Sequence, residues 1–113
     1  MKEHQVIKSI QELTKILRES EDDLVKGIRA CLKAKGVEPS SVIVAEWFPD
    51  DVDFEYGIIL DSNKKIFQFG YDYHNKNEGD GEFSEWEDIS TNWKDIPLYQ
   101  SVEIALNNYE KIT

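Results

Sequence analysis

Sulfur, cations and long apolar runs are all scarce in this chain. It has one cysteine and one methionine among 113 residues. The lone Cys31 can form no internal disulfide, which points to a reducing compartment. Its place in an apolar helical pattern makes it a core-filling thiol rather than a nucleophile. No stretch approaches the roughly 20 apolar residues of a membrane helix, and the N-terminus carries no apolar core of signal-peptide length. A cytoplasmic location is the expectation. Lys and Arg number 13 against 23 Asp and Glu, a net charge of −10. The cations are scattered, whereas phosphate neutralisation needs them clustered. Direct binding to nucleic acid or to an anionic membrane is therefore not expected. With 40% apolar and 32% charged residues the chain is too hydrophobic for a disordered acidic tail, and its length suits one core. A single domain over 1–113 is expected.

What the chain does have is unevenly placed. Met1 to Ser41 holds eight Lys or Arg and seven Asp or Glu, whereas Val42 to Thr113 holds five and sixteen. All 13 aromatic residues fall in the second part, from Trp47 to Tyr109. A surface both negative and rich in amphipathic rings suits a basic protein partner. Charge of that sign steers the encounter, and buried rings slow dissociation.

The periodicity divides the chain into helices, strands and a helix. Val6, Ile7, Ile10, Leu13, Ile16 and Leu17 repeat at three and four, one face of a helix over Glu3–Glu19. Ser20 followed by Asp23 reads as a capping box for a second helix, Glu21–Lys35, with Gly36 at its C-terminal end and Pro39 beyond. One longer helix through Ser20 is the alternative. From Ser41 the period becomes two. Val42–Phe48 reads as a strand stopped by Pro49-Asp50-Asp51. A second strand contains Phe54, Tyr56, Ile58 and Leu60. Asp61-Ser62-Asn63-Lys64 makes a turn into a third, which carries a ladder of Phe67, Phe69, Tyr71 and Tyr73. Asn75–Gly81 reads as a loop, Phe83–Ile89 as a short fourth strand, and Asp95-Ile96-Pro97 as the start of a last helix bearing Val102, Ala105, Leu106 and Tyr109. The class is α+β: two N-terminal helices, a four-stranded mainly antiparallel sheet and a C-terminal helix. One sheet face is aliphatic and the other aromatic. If helices cover only one face, the ladder is partly exposed and fit for binding; otherwise it is core.

No constellation of catalytic type appears. Asp72 and His74 point the same way on a strand, but there is no nucleophile elbow, phosphate-cradling glycine loop or Cys/His metal spacing. A calcium loop fails in both registers. From Asp72, His74 and Lys76 fall on ligand positions and Asn77 replaces the glycine; from Asn75, Asp80 stands where the glycine belongs. No catalytic residue, cofactor or metal is assigned, and an enzyme is not expected. The acids instead form two groups. Asp50, Asp51, Asp53 and Glu55 surround the first strand connection. Glu78, Asp80, Glu82, Glu85, Glu87 and Asp88 crowd the fourth strand and the loop before it. Such density is self-repulsive unless a cationic partner relieves it; the plain alternative is a solvated surface. Trp86, flanked by Glu85 and Glu87, is a candidate anchor together with Tyr71 and Tyr73. By simple alternation Trp86 would share a face with Ser84 and Asp88, opposite Phe83. Trp47 reads as core edge, and Trp93 as a pin for the connection before the last helix.

This general character, with acids and aromatics centred on Phe83-Ser84-Glu85-Trp86-Glu87-Asp88-Ile89 and no catalytic signature, resembles the immunity proteins of bacterial toxin systems, among them contact-dependent inhibition and other polymorphic toxins. The resemblance implies a one-to-one complex with a basic toxin nuclease domain, whose cleft the acids would cover. Proposed contacts are Asp50, Asp51, Asp53, Glu55, Glu82, Glu85 and Glu87, with Trp86, Tyr71 and Tyr73 as anchors. Two other readings stay open: a nucleic-acid mimic that inhibits a defence nuclease, and a small ligand-binding or enzymatic domain near His74.

Overall fold

A computed structural model describes residues 3–51, 54–72, 81–97 and 99–112. Helices α1 (Glu3–Glu19) and α2 (Asp23–Ala34) lead, by way of a 3-10 turn at Pro39–Ser41, into strands β1 (Ile43–Asp51), β2 (Phe54–Leu60), β3 (Ile66–Asp72) and β4 (Glu82–Asp88). After a second 3-10 turn at Trp93–Asp95 come α3 (Tyr99–Asn107) and a short α4 (Tyr109–Ile112). The strands pair in chain order, all antiparallel. The expected α+β class is the one found.

Local chemistry shifts some boundaries. Asp22, not Ser20, caps α2: its carboxylate accepts from the Leu24 N–H at 2.9 Å, while the Ser20 hydroxyl accepts from the Asp22 N–H. An N-cap oxygen placed to reach the second helical N–H satisfies an otherwise orphaned donor. Strand β1 does not stop before Pro49. It runs on to Asp51, which pairs with Phe54, since an edge strand tolerates a residue with no N–H to donate.

Both faces of the sheet are covered, so Phe69 and Tyr71 of the ladder are core and Phe67 packs half-buried against them. On one face Ile43, Ala45, Ile58, Leu60, Ile66 and Ile89 pack with Val102, Ala105 and Tyr109 from α3 and α4. On the other, Val42, Val44, Ile59, Phe69 and Tyr71 pack under Val25, Ile28 and Leu32 of α2. Helix α1 lies on neither face. It runs along the outer edge of β1, sending Ile10 into the first core and Leu17 into the second. Buried Thr14 accepts the Val44 N–H at 2.9 Å, and Arg18 donates to the Val42 carbonyl from both Nε and Nη2, at 3.2 and 2.9 Å. Backbone groups that a missing fifth strand would have paired are thus satisfied by side chains of a helix.

Two glycines make room for the ladder. A Cβ on Gly57 would stand 2.6 Å from the Phe69 ring, and one on Gly27, inside α2, would collide with the Tyr71 hydroxyl. Gly27 gives up about 1 kcal/mol of helix propensity relative to alanine, and in return α2 settles directly on a tyrosine that is 1% exposed.

Thr14→Val is expected to lower the unfolding free energy by about 1–3 kcal/mol, because it buries an unpaired N–H; Thr14→Ser, which keeps the acceptor, should lose less. Denaturant titration of the two variants checks this. Gly27→Ala is expected to destabilise despite its better propensity, by about 1–2 kcal/mol from overpacking. The loss should shrink in a Tyr71→Phe background, measured as a double-mutant cycle.

Candidate partner-binding site

Strand β4 carries a bulge that sorts its side chains. Gly70 pairs with Glu85 but Tyr71 pairs with Phe83, so Ser84 is the extra residue, its hydroxyl 3.4 Å from the Gly70 carbonyl. Beyond such a residue the alternation changes phase. Phe83 and Trp86 therefore share the aromatic face, contrary to simple alternation, while Glu82, Glu85 and Glu87, opposite Asp72, Gly70 and Gln68, stand on the other. There α3 packs over β1 and β2, and the three glutamates are exposed. Among the described residues no ion pair or side-chain hydrogen bond engages them. Asp88, the last residue of β4, caps the turn that follows. The Ser90 hydroxyl and N–H bond to its carboxylate and hold its pKa below the ordinary value.

The proposed anchors fare differently. Tyr71 is buried between α2 and the start of β4, where a Cβ on Gly81 would meet its ring, and it is not a surface contact. Trp86 is half-buried. Its indole stacks on Phe67 at 4.6 Å and on Phe83 at 5.2 Å, with interplanar angles of 15° and 9°. Those rings flank it along the sheet, so its faces are occupied within the fold, and Trp86 leaves the set of anchors. Tyr73, Asp53 and His74 lie outside the described residues, as do Glu78 and Asp80. Asp50 and Asp51 belong to the last residues of β1. Trp93 packs against the first core as expected. Cys31 is half-buried, with its thiol 3.8 Å from the Gly81 carbonyl.

Glu55 stands apart from the other acids. It shares the aromatic side of the sheet with Trp47, whose indole N–H donates to Glu55 Oε1 at 2.8 Å. The pair lies in a groove of about 320 Å³ between the helices and the first hairpin, lined also by Leu13, Ile16, Asp22, Leu24 and Val25. Burial pushes the Glu55 pKa above its ordinary value; the Trp47 hydrogen bond opposes this, and the Asp22 charge adds to it. Sequence reasoning placed Glu55 with Asp50, Asp51 and Asp53 and took Trp47 as core edge. The signal that joins the two is the hairpin register, in which Trp47 faces Gly57, two residues from Glu55.

Among the described residues no helix is long and apolar enough to cross a membrane, and no group of three or more His, Cys, Asp or Glu is arranged to hold a metal. No protein-family model matches this chain, and no curated protein or solved structure matches it. Any functional reading therefore rests on its surfaces.

A carboxyl with a raised pKa binds its proton more tightly in the folded chain than in the unfolded one. Folding is then favoured by this group at low pH and loses that contribution as pH rises from the ordinary value of 4.5 through the raised one. Glu55→Gln, which keeps an acceptor for Trp47, is expected to raise Tm at neutral pH and to leave it nearly unchanged below 4.5. Solvent screening of this half-open site keeps the gain under about 1 kcal/mol. Thermal melts of both proteins across that range check the sign.

Proposed function

We propose that this chain is an inhibitory binding protein of the immunity type, which neutralises a basic toxin, a nuclease domain, in a one-to-one complex. One observation carries the reading: Glu82, Glu85 and Glu87 project from one face of β4, exposed and without a basic partner among the described residues. Alternate residues of a strand stand about 7 Å apart on the same side, so Glu85 and Glu87 form a row of like charges held by backbone pairing. Such a row costs electrostatic energy in the free protein, and a cationic surface relieves it. Carboxylates on a rigid sheet need little reorganisation on binding, which favours fast, steered association over a large ordering cost. The reading needs no catalytic group on this chain. It assigns the recognition chemistry to charge and shape, and the contact set is narrower than the sequence suggests: the β4 glutamates, without Tyr71 or Trp86.

Strand β4 is also an edge strand, and charged residues there discourage pairing with other chains. The two roles separate by experiment. The triple variant Glu82→Lys, Glu85→Lys, Glu87→Lys and the parent serve as baits at low salt in lysate of the source cells, and any captured protein is assayed for nuclease activity with and without the parent. Capture of a basic nuclease by the parent alone, with inhibition, is the expected result. Association should be at least about tenfold slower for the triple variant at low salt, and the difference should narrow as salt screens the charges. Equal capture and equal association rates for both baits would leave the acids as guards of the edge and overturn the proposal.

A further inference from the structure

The groove between the helices and the first hairpin has the chemistry of a receptor for one cationic side chain. Its walls are apolar: Leu13 and Ile16 from α1, Leu24 and Val25 from α2, and the Trp47 ring from β1. Ile16 is 47% exposed, one of the two large apolar side chains most open to solvent among the described residues. Among the described residues its ionisable groups are two carboxylates, Asp22 and Glu55, and no basic residue lines it. Three cations of the adjoining helices are engaged elsewhere. Arg18 donates to the Val42 carbonyl. Arg29 donates to the Leu17 and Ser20 carbonyls at 2.8 and 2.7 Å, and Lys26 pairs with Glu21 at 3.2 Å. Glu55 is also only half used: Trp47 takes Oε1, and among the described residues no hydrogen bond or ion pair reaches Oε2. A partly desolvated carboxylate in an apolar cleft, with a second negative charge beside it and no counter-charge, is complementary to a cation with an apolar stem.

We infer that this groove receives an arginine side chain from a polypeptide partner, its methylene stem lying along Leu13, Ile16 and Leu24 and its guanidinium set against the Trp47 ring and Glu55 Oε2. Arginine fits better than lysine. A planar guanidinium stacks on an indole and still directs N–H groups in its plane to carboxylates, whereas an ammonium is a compact, strongly hydrated point charge. An uncharged apolar guest would leave both carboxylates facing it without a counter-charge. The inference does not depend on the β4 glutamates, which lie on the opposite face of the sheet, and it is tested without the protein partner.

The probe is N-acetyl-arginine methylamide, titrated into isotopically labelled protein while the Trp47 indole N–H resonance, assigned with Trp47→Phe, is followed by NMR. A saturable shift is expected. The citrulline counterpart, equal in shape and uncharged, should produce no such shift, and the lysine counterpart should bind more weakly. Methylguanidinium, which lacks the stem, should bind about tenfold more weakly. Glu55→Gln preserves the acceptor for Trp47 and should weaken arginine binding about tenfold. Asp22→Asn, which keeps an N-cap, should weaken it by a smaller factor. Unchanged methyl resonances of Leu13, Leu24 and Val25, which line the groove, in the free Glu55→Gln protein show that the groove is intact. Equal binding of arginine and citrulline derivatives, equal binding of methylguanidinium, lysine binding tighter than arginine, or undiminished affinity in intact Glu55→Gln would each overturn the assignment. Loss of arginine binding in the triple β4 variant would overturn the independence of the two surfaces and leave the immunity reading standing.

Discussion

The contact between α1 and the outer edge of β1 decides how everything else is arranged. Thr14 and Arg18 supply the acceptor and the donors that another strand would have offered to Val44 and Val42. With α1 occupied at the edge, α2 and α3 are free to take one face each. A four-stranded sheet covered on a single face would leave its second face wet. Here Val42 to Ala45 are buried without interruption, because alternate residues enter separate cores. The two cores meet along α1, whose stripe is split between them. A packing change in one is thereby felt at the helix that also closes the other.

The two candidate surfaces follow from what these helices leave uncovered. Helix α3 packs over β1 and β2, and the β4 glutamates stand exposed where that cover ends. On the other side α2 rests on Tyr71 and Phe69, but its N-terminal end stands over the first hairpin with a groove beneath it. The floor of that groove is Trp47 with Glu55, and its rim is the Asp22 cap. The residue that begins a helix is thus also one that charges a cleft. Neither surface involves an aromatic ring standing free in solvent. Among the described rings of the second part, Phe69, Tyr71 and Tyr109 fill a core, Phe67, Trp86 and Phe83 stack, and Trp47 floors the groove, while Tyr99 is left exposed.

Much of the fold was legible in the sequence because hydrophobic period reports burial directly. The stripe from Val6 to Leu17 gives the bounds of α1, and the alternation from Phe54 to Leu60 those of β2. What periodicity does not report is which body a buried stripe meets. Nothing in the spacing of Ile10 and Leu17 separates a helix on a face from a helix on an edge. The clue was Thr14, a hydroxyl inside an apolar stripe, and the unbroken run at Val42–Ala45 was a second. Phase was lost again at Ser84, since a bulge leaves no mark in composition, and the sides of Phe83, Glu85 and Trp86 depend on it. The site was less legible than the fold for the same reason: Glu55 and Trp47 are eight residues apart and meet only once the hairpin register is known.

Strand order carries one more consequence, for assembly. A sheet that is to grow into a fibre needs two open edges, one to receive and one to offer. Here α1 occupies the first edge at Val42 and Val44, and among the described residues β4 alone has no neighbour on its outer side. Pairing through β4 would join two copies about a twofold axis and then have nowhere to continue. By its topology the molecule is a chain terminator: edge-to-edge association stops at two.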